Sequence, residues 1–284
     1  MNNSDLIAAC KQIYAETNGI YLRYRQQLGV RDLGFKILYG PPCVNPHLLF
    51  IGDQPAGKIA DEKPNERYSW PSRCEYATET WTLARNMQSM FGAAFLADCV
   101  GVNANFFRAP DSESWNAVPP NVRDILEKFC AEKLATMISL MAPKQIVTIG
   151  FSVLNKFGPS DPILFGAKQR VLMRRGKFGR WPAVSALHLS GAQIGREDRV
   201  AIANTILQLT QHGLIPAAGH ESTETPRKPV PPNALSQFVD SDREKQKGSL
   251  VGNAPITSTR GGVGVLRAVE AGSIGPEDTK RIII

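Results

Sequence analysis

Apolar residues recur at loosely helical spacing through residues 4–28 (Leu6, Ile7, Ile13, Tyr14, Ile20, Leu22, Leu28), which predicts one or two helices. Beyond the Gly40-Pro41-Pro42 turn, the run Leu48–Gly52 is continuously apolar and stops on glycine, the pattern of a buried strand. Residues 58–78 are polar with scattered aromatics and read as a long loop, a common setting for functional groups. Thr80–Phe91 reads as a helix, Cys99–Phe107 as a strand carrying asparagines, and Asn121–Met141 as an amphipathic helix stopped by Pro143. A second buried strand, Gln145–Gly150, again ends on glycine and is followed by a short helix over Phe151–Phe157. Val184–Leu187 predicts a strand and Val200–Gln211 a closing helix.

Strands alternating with helices imply a parallel sheet covered on both faces, and such sheets bind ligands outside the C-terminal ends of their strands. The polar breaks in the pattern fall at those ends: Asp53-Gln54, then Asn103 and Asn105, then His188 and Ser190. After about Ile215 the composition changes to proline, serine, threonine and charge. The reading is therefore a folded domain over residues 1–215 and a linker with a flexible tail over 216–284, the tail offering a short docking segment for a protein partner. Gly261–Leu266 is rich in glycine, but the preceding strand and following lysine of a nucleotide loop are missing.

The formal charge of +7 suits a polyanionic partner. Five widely spaced cysteines without a C-x-x-C pair argue against a zinc or iron–sulfur site and against disulfides, so no metal or cofactor is expected and a reducing cytoplasm is. The first residues lack the basic and apolar regions of a signal peptide, and no apolar run approaches the roughly 20 residues that span a membrane.

Four short motifs, in order and each at a predicted strand end, resemble those of the uracil-DNA glycosylase superfamily. Gly52-Asp53-Gln54-Pro55-Ala56-Gly57 resembles its first motif, Gly-x-x-Pro-Gly after strand one. Val102–Arg108 resembles the strand whose asparagine reads a pyrimidine edge, Pro143–Gly150 a following strand, and His188-Leu189-Ser190-Gly191 the His-Pro-Ser motif. The resemblance covers roughly residues 37–212. It departs from the family pattern at Ala56, inserted before Gly57, at Leu189 in place of proline, and at Gln54, where the best-known branches place aspartate or asparagine. Asp53 resembles the branch with glutamate at that position.

The resemblance implies a three-layer α/β/α sandwich with a short, mostly parallel central sheet. It also implies a DNA glycosylase that flips a pyrimidine and hydrolyses its N-glycosidic bond, with DNA as partner. In that chemistry the sugar becomes cationic and the base leaves as an anion. Asp53 is the candidate to orient water and stabilise the sugar, with Gln54 as the alternative holder of that position. His188 is the candidate to hydrogen-bond the leaving base. Asn103 offers donor and acceptor to a base edge, and Asn105 faces the same side by strand alternation and supports it. Trp70 and Tyr68 are candidates to stack on the base, with Tyr76 third. Gly57, Lys58, Ser190, Arg196, Arg199 and Arg108 are candidates for the DNA backbone, and Leu189 or a residue within 192–195 for a wedge into the base stack. The base stays open between uracil and a modified pyrimidine, such as the hydroxymethylated or glucosylated cytosines of phage DNA, which would make the chain a defence glycosylase. A DNA-binding or modified-base-binding protein without catalysis, built on the same scaffold, is the alternative of a different class.

Overall fold

The computed structural model describes residues 2–29, 32–57, 68–190 and 194–212. They lie in the first of two units, Met1–His220, and the tail expected at 216–284 lies outside them.

The first helix, α1 (Asn3–Leu28), is a single helix of 26 residues. Its start is fixed by a capping box, in which the Asn2 side chain accepts the Asp5 N–H at 2.9 Å and the Asp5 carboxylate accepts the Asn2 N–H. No proline interrupts it, and Gly29, at φ 54°, ends it in a conformation that favours glycine. Its buried stripe, Leu6, Cys10, Ile13, Tyr14, Thr17 and Tyr21, follows the helical period. The longest other helix, α6 (Pro120–Met141), begins with proline in its first turn, where the missing N–H costs nothing, and stops at Ala142 in the left-handed conformation just before Pro143.

Both helices pack on one face of a six-stranded sheet. In chain order the strands are β1 (Leu48–Gly52), β2 (Val100–Asn103), β3 (Gln145–Ile149), β4 (Asp161–Phe165), β5 (Val171–Phe178) and β6 (Trp181–Ala186), and in space they run β2-β1-β3-β6-β5-β4. The four strands β2, β1, β3 and β6 are mutually parallel, and β5 and β4 are added antiparallel at one edge. Alternation sorts the side chains into two buried layers. Leu49, Ile51, Val100, Val102, Ile146 and Ala183 pack with α1 and α6. Leu48, Phe50, Val147, Ile149, Val184 and Ala186 pack with α3 (Thr82–Phe91), α4 (Ala93–Ala97) and α8 (Arg196–His212), and with Tyr76 of the short α2 (Glu75–Thr78). The fold is a three-layer α/β/α sandwich around a mostly parallel sheet. The remaining helices, α5 (Ser112–Asn116) and α7 (Phe151–Asn155), occupy connections. No helix among the described residues is long and apolar enough to cross a membrane.

Two features differ from the sequence expectation. The strand expected over Cys99–Phe107 is regular only to Asn103, after which the chain pairs with residues on two sides: Lys36 N–H bonds Phe106 O at 2.8 Å, and Ala104 N–H bonds Gly52 O at 2.8 Å. The β4–β5 hairpin was not anticipated. Arg174, Arg175 and Lys177 interrupt the apolar alternation of β5, and β4 is an edge strand with a largely exposed pattern and a proline, so neither reads as a buried strand.

At Gly101 in β2 the sheet has no room for a side chain, because an added Cβ would overlap the Tyr76 ring and lie 3.1 Å from Tyr39 Cβ. Gly101→Ala is therefore expected to destabilise the fold by about 1–3 kcal/mol. Urea denaturation checks this through a lower midpoint at unchanged slope, and an unchanged midpoint contradicts it.

Candidate active site

The polar loop after β1 is pinned along its length to the segment after β2. Gly52 and Asp53 carbonyls accept the N–H groups of Ala104 and Asn105, each at 2.8 Å, and Pro55 O accepts the Ala109 N–H at 3.3 Å. Arg108 donates to the Ala56 carbonyl, and the Gln54 amide donates to Phe107 O at 2.9 Å. Gly52 leaves room for the Asn103 amide, since a Cβ there would sit 2.9 Å from Asn103 Oδ1 and force that side chain to shift. Gln54 thus serves as a fastener between two segments. Asp53 keeps a side chain 31% exposed, with Oδ1 2.5 Å from Nζ of Lys156, itself 51% exposed. Lys156 is the C-cap of α7, the helix that leaves the end of β3.

His188 follows β6 and lies over the end of β3. A Cβ added to Gly150 would be 3.6 Å from His188 Cδ2 and 3.7 Å from Ser152 Oγ, and Gly150 has φ 97°, which favours glycine. The Ser190 hydroxyl is 2.7 Å from His188 Nδ1. With the hydroxyl donating, Nδ1 accepts and the neutral ring carries its proton on Nε2, free to donate. Partial burial lowers the His188 pKa below its ordinary value, while the nearby Asp53 carboxylate acts in the opposite sense. The ends of β1, β3 and β6 therefore bring together a carboxylate, an ammonium group and a histidine whose neutral form is favoured.

Several expected residues sit elsewhere. Asn103 is 2% exposed; its amide donates to Lys36 O at 3.1 Å and lies 3.2–3.3 Å from the Tyr39 hydroxyl, so its polar atoms are engaged within the protein. Asn105 does not share its face. Strand alternation ends at Asn103, and Asn105 turns to the other layer, where its Oδ1 accepts its neighbour Phe107's N–H at 3.1 Å and lies against Cys130. Tyr76 is core, stacked on Tyr39 with ring centroids 5.2 Å apart. Trp70 meets Tyr14 edge-on at 5.7 Å, whereas Tyr68, 47% exposed, keeps a free surface beside Phe35.

Leu189 corrects the wedge expectation: three residues past the end of β6, it is fully buried in the layer with α8, and its carbonyl accepts the Asn86 amide at 2.7 Å. Arg108 is buried and bonded to Ala56, which makes it an internal brace. Arg199 donates to Asn86 Oδ1 at 3.0 Å. Arg196 borders a cleft of about 490 Å³ between α3 and α8 that shares no lining residue with the Asp53–Lys156–His188 group. Gly57 closes the pinned loop at φ 78°, and Lys58 lies outside the described residues.

Sequence reasoning missed Lys156. Its available signal was position: it lies one short helix beyond Gly150, at the end of a strand included in the motif resemblance. Among the described residues no three His, Cys, Asp or Glu side chains are grouped to hold a metal ion. Neither a scan of protein-family models nor a search of curated proteins finds a match for this chain.

The His188 ring is expected to titrate below 6.5. Asp53→Asn removes the charge that raises its pKa, so the midpoint should fall further. Imidazole NMR across pH checks both signs, and a midpoint that rises in Asp53→Asn contradicts the stated proximity.

Proposed function

We propose that this chain is a DNA glycosylase of the uracil-DNA glycosylase superfamily, releasing a pyrimidine base and leaving an abasic site. The observation that carries this reading is the convergence of Asp53 and His188 at the C-terminal ends of β1 and β6, on either side of β3, close enough for the carboxylate to act on the imidazole. The four motifs of the resemblance and the net charge of +7 support it.

The chemistry needs a negative charge near the sugar and a donor near the base. The Asp53 carboxylate stabilises the cationic sugar and orients the attacking water. The neutral His188 ring donates from Nε2 to the base oxygen as negative charge develops there, and Ser190 positions the ring by bonding Nδ1. Tyr68 offers an exposed aromatic face for an extruded base. Uracil is the first substrate to test and bulky modified cytosines the second. A DNA partner and free cysteines fit a reducing compartment that contains DNA, such as the cytoplasm. One observation favours the reading without catalysis: Lys156 offsets the Asp53 charge on which bond cleavage relies.

Duplexes carrying one uracil or one modified cytosine, treated with protein and then alkali, separate the two readings. Wild type should cut one of them. Asp53→Asn should slow base release by ~10²–10⁴ while DNA binding survives, because the loop is held by backbone carbonyls and keeps its shape. Binding with no cleavage across the panel would leave the non-catalytic reading.

A further inference from the structure

Burial of Leu189 leaves the DNA reading without a side chain to hold the stack open around an extruded base. The β4–β5 hairpin offers one. β5 runs antiparallel to β6, so it starts where β6 finishes, and Leu187 N–H bonds Leu172 O there at 2.9 Å. β4 ends beside that start, with Phe165 opposite Val171. The turn between them therefore stands at the same end of the sheet as Asp53 and His188, two strand spacings, about 10 Å, from the His188 segment. Phe165, at the root of this turn, is 51% exposed. Gly166 seats the turn against the start of α8, since an added Cβ would lie 2.5 Å from Asp198 Oδ1.

At the tip, Arg170 N–H bonds Ala167 O at 3.2 Å across Lys168 and Gln169, which take φ 54° and 58°. Hairpin turns with two left-handed central residues are ordinarily filled by Asn-Gly, which adopts them readily. Lysine and glutamine gain the fold nothing there, and strain kept in this way marks a segment held for another purpose. Charge points to that purpose. From Pro162 to Gly195 the sequence has no carboxylate side chain, yet it carries Lys168, Arg170, Arg174, Arg175, Lys177 and Arg180. Such a module suits a polyanion. A second copy of the chain fits poorly: edge-to-edge pairing would oppose this charge to itself, and β4 carries a proline and register shifts. We propose that the end of the β4–β5 hairpin enters the DNA, with Phe165 as the wedge that fills the gap left by the extruded base and Lys168 on a flanking phosphate. The inference rests on the glycosylase reading for its substrate, but its test does not require cleavage.

The test uses the full chain and duplexes carrying one uracil or one modified cytosine beside 2-aminopurine, whose fluorescence rises when its stacking partner is lost. Wild type should raise the signal on one of these duplexes. Phe165→Ala should abolish the rise while binding, followed by anisotropy, persists. The same variant should slow base release from the duplex by ~10–100-fold and leave release from a single strand unchanged, because a single strand has no stack to open. Lys168→Ala should weaken binding and lower the slope of log affinity against log salt by about 1. Arg180→Ala removes the same charge from the β5–β6 turn at the opposite end of the sheet, and it should keep the fluorescence rise. A full rise in Phe165→Ala, or no rise with wild type on any duplex, overturns the proposal. Duplex base release by Phe165→Ala at the wild-type rate would sink the wedge and spare the glycosylase; a rise that depends on Phe165 without release of any tested base would do the reverse.

Discussion

The hydrogen-bonding run of β1 does not stop where the strand does. β1 is buried among parallel neighbours, so its backbone groups must be paired within the protein. Past Gly52 there is no further sheet, yet the carbonyls of Gly52, Asp53, Pro55 and Ala56 still find donors on Ala104, Asn105, Ala109 and Arg108. The loop is thereby held like an added strand. A polar segment at a sheet end is ordinarily free to move, and this one is not. Asp53 consequently projects from a braced base, which suits the role proposed for it.

The same constraint sorts the polar residues near the loop into two kinds. Gln54 and Arg108 fasten the loop to the segment after β2, while Asn103 bonds Lys36 and Tyr39 and Asn105 accepts from Phe107 within that segment. Asp53 pairs with Lys156, and His188 with Ser190, at the open end of the sheet. The first group fixes the shape of these strand ends, and the second holds the residues to which the proposed chemistry is assigned. Nearby charge also explains the state of His188: burial favours the neutral ring, and the Asp53 carboxylate limits how far that preference goes.

Much of this was legible in the amino-acid pattern. β1 is a continuous apolar run and β3 a largely apolar one, each closed by glycine, and α6 is bounded by prolines, so each carries its own start and stop. The position of Asp53 and His188 at strand ends follows from those boundaries. Other features depend on contacts between distant segments. Asn105 reads as strand because its neighbours are apolar, but the chain leaves the sheet two residues earlier, and the side chain turns to Cys130. Leu189 stands where the family writes proline, and only the packing of α8 reveals that it points inward. Lys156 meets Asp53 across 103 residues of sequence, a pairing that no local pattern encodes.

The central claim is that Asp53 and His188 act as one unit on a DNA base. A double-mutant cycle on single-turnover base release tests it directly, using wild type, Asp53→Asn, His188→Ala and the double variant, with the freed base detected by mass spectrometry. Groups that share one transition state are non-additive, so the double variant should be slowed by less than the product of the two single effects. Effects that multiply in full, or no base released by the wild type, would contradict the account.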